Sequence, residues 1–261
     1  MDIRLDGRSA VITGGSKGLG LATATRFAEA GADVAILARR PEVLEEAREA
    51  ISAAAPGRRV EAITCDVAKP EDVRRAIDQA VSALGKVDIL VNNAGESRLG
   101  PFETVTDEMW QADIDQKLMA AVRLTRLVWP QMKERRWGRV INVLSIASKA
   151  PRPGNAPTGV VRAAGLALTK VLAGEGAPHN ILVNALLVGS IVSDQIVRRH
   201  EARGGAVSLE EMIAEVGKDI PLGRMGRGEE FANVACFLAS DAASYLSGIA
   251  IPVDGGKSPV I

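Results

Sequence analysis

Seven short apolar runs, rich in β-branched residues and bounded by Gly, Asp or Asn, recur along the chain with helix-length gaps between them. They are S-A-V-I-T, D-V-A-I-L-A, V-E-A-I-T-C-D, D-I-L-V-N-N, G-R-V-I-N-V, I-L-V-N-A-L and I-A-I-P-V-D-G-G. The gaps hold stretches of 3.6-residue period, over 20–30, 40–54, 70–84 and 106–135. Runs that are apolar throughout, rather than alternating, read as strands buried on both faces, because helices cover both sides of a parallel sheet. The fold class expected is therefore α/β, a single-domain, Rossmann-like, doubly wound parallel sheet of about seven strands with helices on both faces. A chain of 261 residues fits one such domain, 1–261, and no low-complexity segment, internal repeat or linker divides it. One long polar excursion, 190–228, separates the sixth and seventh runs. Its place suits a substrate lid or an ordinary helical insertion equally.

Composition narrows the partners. With 32 basic and 32 acidic residues and no block of like charge, no global field attracts nucleic acid or an anionic membrane. No run approaches the roughly 18 apolar residues of a membrane span, and the first residues have no signal-like apolar stretch, so a soluble, cytoplasmic protein is expected. Two cysteines, Cys65 and Cys236, and two histidines, His179 and His200, have no metal-ligand spacing. No metal is expected, and a small-molecule substrate becomes the favoured partner.

The first strand runs directly into T-G-G-S-K-G-L-G, residues 13–20, and then into a helix. In that order, Gly14 permits a tight turn, Gly18 lets a diphosphate approach the backbone, and Gly20 lets the helix pack on the strand. Ser16, Lys17 and Leu19 complete the cradle, and the helix N-terminus offers free N–H groups and a positive dipole. At the end of the second strand, where an acidic residue would bond the 2′-hydroxyl of NAD, stands Ala38-Arg39-Arg40. Arginine grips phosphate through a bidentate fork, so NADP(H) is expected in preference to NAD(H), with Lys17 as a further cation. Solvated arginines opening a helix are the plain alternative.

With T-G-G-S-K-G-L-G, C-D-V, N-N-A-G and V-D-G-G in this order, residues 5–256 resemble the classical short-chain dehydrogenase/reductase family, and within it the 3-oxoacyl-acyl-carrier-protein reductase type. The resemblance implies that Asp66 and Val67 flank an adenine and that Asn92, Ala94 and Gly95 line the wall beside the adenosine ribose and nicotinamide. It also implies that Gly189, Ile191 and Ser193 meet the nicotinamide carboxamide and the diphosphate, and that the chain assembles as a homotetramer or homodimer.

The family's catalytic set is a serine, a tyrosine, a lysine four residues beyond it and an asparagine. Only the serine stands here. Ser145 ends the fifth run, while Thr158 and Arg162 occupy the tyrosine and lysine positions and Lys117 that of the asparagine. Tyr245, the chain's only tyrosine, lies far along the sequence in S-Y-L-S-G. An aliphatic hydroxyl is a far weaker acid than a phenol and reaches less far, and arginine stays charged. Spacing puts Thr158 and Arg162 on one helix face. Ser145 suits polarisation of a substrate oxygen, or alternatively a local turn bond. Lys117 has two open readings: an acid with a lowered pKa in the vacated phenol space near Arg162, or an outward or ion-paired lysine on a long helix with Asp113 or Asp115 nearby.

Three functions follow. The first is an NADP(H)-dependent oxidoreductase acting on a carbonyl or alcohol by an atypical mechanism. The others are a redox-inactive nucleotide-binding regulatory protein and a non-redox lyase or isomerase. Candidate pocket residues Glu96, Arg98, Lys149, Arg152 and Asn155 suggest a polar or anionic substrate.

Overall fold

In a computed structural model that describes residues 3–193, 196–197, 200–201 and 208–261, the seven apolar runs become seven strands of one sheet. They are β1 (Ser9–Thr13), β2 (Asp33–Ala38), β3 (Val60–Thr64), β4 (Ile89–Asn92), β6 (Gly138–Ser145), β8 (Ile181–Val188) and β9 (Ala250–Val253). The order is β3-β2-β1-β4-β6-β8-β9, and every neighbouring pair is parallel. The chain winds outward from β1 in one direction to β3, then returns to β4 on the other side. That reversal opens a crevice at the carboxyl ends of β1 and β4, where ligands bind in such sheets.

The period of two within each strand separates two cores. Ala10 and Ile12 of β1 and Val34 and Ile36 of β2 pack with Phe27, Phe231 and Cys236 on one face. Val11, Ala35, Leu37 and Leu90 pack with Ile77, Leu124 and Met132 on the other. Helices α1 (Gly18–Glu29), α2 (Pro41–Ala54) and α8 (Gly228–Ala239) cover the first face. Helices α3 (Pro70–Leu84) and α5 (Ala120–Arg135) cover the second. Each fully buried Ile, Leu or Phe contributes roughly 1.5–3 kcal/mol, so loss of one strand's alternation would undo both layers.

Two features depart from the sequence reading. The helix expected over 106–135 is interrupted: α4 (Asp107–Asp113), capped by Thr106, passes into a π-helical stretch, Ile114–Met119, before α5 begins. A π turn widens the helix by one residue, and such turns concentrate at functional sites. Second, Leu99–Gly100 (β5) pairs antiparallel with Ala156–Pro157 (β7), drawing the chain that follows β4 across the start of α6 (Thr158–Gly176). Two-residue strands are too short to carry a period, so nothing in the pattern announced them.

Of the excursion at 190–228, read as a lid or an ordinary insertion, residues 194, 195, 198, 199 and 202–207 lie outside the described residues. Within the rest, Ile191 bridges to Gly226, and Ser208 caps helix α7 (Leu209–Lys218) through reciprocal bonds with Glu211. Among the described residues, no helix is long and apolar enough to cross a membrane, and no cluster of His, Cys, Asp or Glu is arranged to hold a metal.

Candidate active site

The crevice is a cleft of about 740 Å³ along the carboxyl edge of the sheet, within the range of small-molecule and cofactor sites. Its floor is the glycine turn. Gly14 and Gly18 take positive φ of 64° and 55°, a conformation that a Cβ penalises. A Cβ on Gly20 would stand 2.1 Å from the Gly14 carbonyl oxygen. The turn is pinned to β2 by Gly14 N–H donating to the Leu37 carbonyl at 2.7 Å. Helix α1 starts after Lys17 with no side-chain cap and no acid in its first turn, leaving its N–H groups and dipole to an anion. Gly14, Ser16, Lys17, Gly18, Leu19 and Gly20 all line the cleft. This cradle fits a dinucleotide diphosphate.

Ala38, Arg39, Arg40, Cys65, Asp66 and Val67 line one end. Asp66 is held by its Oδ1 accepting from the Ala68 N–H at 3.1 Å. Arg39 donates to Glu96 Oε1 at 3.1 Å, an ion pair between exposed groups that joins the end of β2 to the chain after β4. Burial pushes the Cys65 thiol up to about 12, so it stays protonated and unreactive.

Ala94 and Gly95 line the cleft, and so do Gly189, Ile191 and Ser193. A Cβ on Gly189 would meet Asp254 at 2.3 Å. Asn92 is not brought to the cleft. As the last residue of β4, it shares the face of Leu90 and points into the second core, where its amide donates to Asn142 at 2.9 Å. Asn142 in turn donates to Thr169 at 2.9 Å, making a buried polar ladder beneath the site. Its neighbour Asn93 takes the wall instead, donating to the Thr13 and Gly14 carbonyls at 2.8 and 3.3 Å. Thr13, not singled out in the sequence, organises this corner by accepting both the Asn93 and Ala94 N–H groups at 2.9 Å. Of the five candidate pocket residues, Glu96 alone lines the cleft. Lys149 instead donates to the Ala250 carbonyl, and Arg152 and Asn155 bond each other in a turn.

At the far end, Ser145, Thr158 and Arg162 line the wall together. Ser145 closes β6 and accepts from the Ala147 N–H at 3.2 Å, which leaves its hydroxyl proton for a ligand oxygen. Thr158 and Arg162 are one turn apart on α6. The Thr158 hydroxyl is saturated: it accepts from Lys117 Nζ at 3.3 Å and from the Arg98 N–H at 3.0 Å, and donates to Asp113 Oδ1 at 3.2 Å. Lys117 and Asp113 form an ion pair, with side chains 2% and 0% exposed. Lys117 therefore stands behind Thr158 rather than on the wall itself, buried and paired with Asp113.

Burial, aided by the charges of Arg162 and Arg98 and opposed by Asp113, pushes the Lys117 ammonium down to about 8. Burial likewise lowers Arg162 to about 10, against the pull of Asp113. Arg162 donates to the Val143 carbonyl and lies beneath Gly95, where a Cβ would come within 2.8 Å of its Nη2. A hydroxyl on the wall, backed by a lysine that can release a proton near neutral pH, is an arrangement able to move protons.

Comparison with known proteins agrees with the fold. The enoyl-(acyl carrier protein) reductase family model matches residues 14–258. The chain is 33% identical to the 3-oxoacyl-acyl-carrier-protein reductase of Aquifex aeolicus over 256 residues, covering 98% of this chain and 99% of that protein. Among solved structures, L-sorbose reductase from Gluconobacter frateurii, complexed with NADPH and L-sorbose, is similar with a TM-score of 0.95 and 35% identity, each chain covered completely. An NADPH-bound short chain oxidoreductase from Pseudomonas aeruginosa PAO1, containing an atypical catalytic center, matches with a TM-score of 0.91 and 37% identity over 99% of both chains. From the glycine turn, the strand order and these matches over nearly its whole length, the chain belongs to the classical short-chain dehydrogenase/reductase family of oxidoreductases.

Proposed function

We propose that this protein is an NADP(H)-dependent oxidoreductase that interconverts a carbonyl compound and its alcohol without a tyrosine acid. The single observation that carries the reading is the Lys117–Thr158 contact, which links a buried proton source to a hydroxyl on the cleft wall.

The chemistry that a bound nicotinamide supplies is donation or acceptance of a hydride. The glycine turn and the α1 N-terminus hold the diphosphate, Asp66 and Val67 flank the adenine, and Arg39 and Arg40 receive the 2′-phosphate that distinguishes NADP. Support for NADP comes from the absence of a carboxylate at the end of β2 and from the NADPH found in both similar solved structures. Arg162, below Gly95, holds the ribose end and remains charged.

In reduction, Ser145 donates a hydrogen bond to the carbonyl oxygen as negative charge develops there. Thr158 turns its O–H from Asp113 to that oxygen and passes on its proton, while Lys117 replaces it from the ammonium. The carbonyl carbon has gained a hydride, the oxygen a proton, and the neutral lysine recovers its own from solvent. Alcohol oxidation runs the same path in reverse. The polar wall of Ser97, Gln116, Ser145 and Ser190 favours a small polar carbonyl substrate. The test is NADPH oxidation against a panel of polar ketones and aldehydes, with NADH in parallel. Turnover with NADPH that is lost in Ser145→Ala, while nucleotide binding is kept, is expected. No turnover with any carbonyl, despite tight NADPH binding, would sink the reading.

A further inference from the structure

Asp113 ends α4 and is the one buried residue of that helix. Its carboxylate has no solvent exposure, and a buried charge persists only where partners repay its lost hydration. Those partners are specific. Oδ1 accepts from Lys117 Nζ and from the Thr158 hydroxyl, while Oδ2 is buried with no hydrogen-bond partner among the described residues. The π-helical stretch begins at Ile114, directly after Asp113. The wider π turn brings positions 113 and 117 close to one line, so the two side chains meet in register.

Among the described residues the other charges acting on Lys117 are cationic: Arg162 from α6 and Arg98 from the chain after β4 both act against its ammonium, and Asp113 favours it. Asp113 also supports the charge of Arg162. A lysine in this cluster without the carboxylate would shed its proton and could no longer serve as an acid.

We propose that Asp113 is a positioning residue of the active site, its buried carboxylate holding Lys117 charged and aimed at Thr158 so that the threonine hydroxyl can be resupplied with a proton. Asp113 does not line the cleft and acts only through these two side chains. The proposal rests on the reading of Lys117 as the proton source, and it assigns the fourth member of a cluster in which Ser145, Thr158 and Lys117 do the chemistry.

Asp113→Asn keeps the shape and removes the charge. In protein labelled with 15N at lysine Nζ, with the Lys117 signal assigned by its absence in Lys117→Ala, the titration of Lys117 is expected to fall by at least about one pH unit in Asp113→Asn. Asp113→Glu should restore most of it. The alkaline fall of the NADPH-dependent reduction rate should move to lower pH by the same amount, with KM for NADPH unchanged. A Lys117 titration that does not move in Asp113→Asn overturns the role given to Asp113. A rate limb that persists in Lys117→Ala instead overturns the donor reading, a separate outcome. If Asp113→Asn is too unstable to titrate, the double variant Asp113→Asn/Lys117→Met, lacking both charges, should recover thermal stability over the single one. A double variant no more stable than the single one also overturns the proposal.

Discussion

Lys117 and Thr158 stand 41 positions apart in the chain and meet at 3.3 Å, the lysine from a π-helical turn and the threonine from the first residue of α6. Thr158 faces the cleft and Lys117 does not, so the hydroxyl is the route by which the ammonium reaches a substrate. Replacing Thr158 by Val keeps the shape and removes that route. Steady-state reduction with NADPH should drop by about 10²–10⁴-fold, while NADPH affinity, followed by fluorescence titration, stays within a few-fold. Thr158→Ser should retain most of the rate. Wild-type turnover in the valine variant would exclude the hydroxyl from proton transfer.

The direction of pH dependence follows from the lysine. Its acid form is the ammonium, present below the folded value of about 8, so carbonyl reduction should decline as pH rises through about 8 and alcohol oxidation should climb over the same interval. The folded value lies beneath the ordinary 10.5. Between those two pH values the unfolded chain binds more protons than the folded one, so this group's contribution to stability rises with pH across that window. Urea midpoints at pH 8 and pH 10 should therefore show a smaller alkaline gain in Lys117→Met than in the wild type. Equal gains would place the titration on another group.

Gly95 has no room to grow. A Cβ there would sit 2.8 Å from Arg162 Nη2 and 3.3–3.4 Å from carbons of Lys117. Gly95→Ala should displace the guanidinium from the Val143 carbonyl, costing about 1–3 kcal/mol of stability and weakening NADP binding together with turnover. Thermal melts with and without NADP check both effects. Unchanged melting and unchanged binding would mean that Arg162 relocates freely.

The Arg39–Glu96 pair concerns selectivity. Being exposed on both sides, it holds little stability in water, yet it engages the guanidinium that a 2′-phosphate would need. Arg39→Ala should raise the Kd for NADP by about 10–100-fold and leave that for NAD nearly unchanged. Glu96→Gln should act oppositely, tightening NADP alone. Calorimetric titration with each nucleotide separates the cases, and parallel changes for NAD and NADP would remove the pair from phosphate recognition.

Much of this molecule is legible from local pattern. Apolar runs spaced by helix-length gaps specify a parallel sheet, because only strands covered on both faces can be apolar at every position. The run over 70–84 becomes a helix with the same limits, since Pro70 starts it and Gly85, in the left-handed conformation, ends it. The cradle at 13–20 is equally local: strand, glycine turn and helix are contiguous, and the backbone geometry needed is one that glycine alone adopts cheaply. That Thr158 and Arg162 stand where the resemblance leads one to expect a tyrosine and a lysine is likewise read as a count along the chain. Asn92 marks the limit of such counting. Whether Asn92 or Asn93 meets a ligand depends on which face the strand's last residue takes, and that is set by its packing against Asn142 and Thr125.

By itself the sequence determined the layers, the strand succession and the glycine turn, all properties of contiguous segments whose periods and turn residues act over a few positions. Only the tertiary structure decided that Asp113, Lys117 and Thr158 form one buried cluster. A π turn shifts the helix register at Ile114–Met119, and the two-residue pairing of β5 with β7 draws Arg98 onto Thr158. The charge state of Lys117 is then set by burial, by Asp113 four residues before it, and by Arg162 and Arg98, which are remote in sequence. Desolvation and long-range Coulomb interactions exist only once the chain has closed around the group they act on.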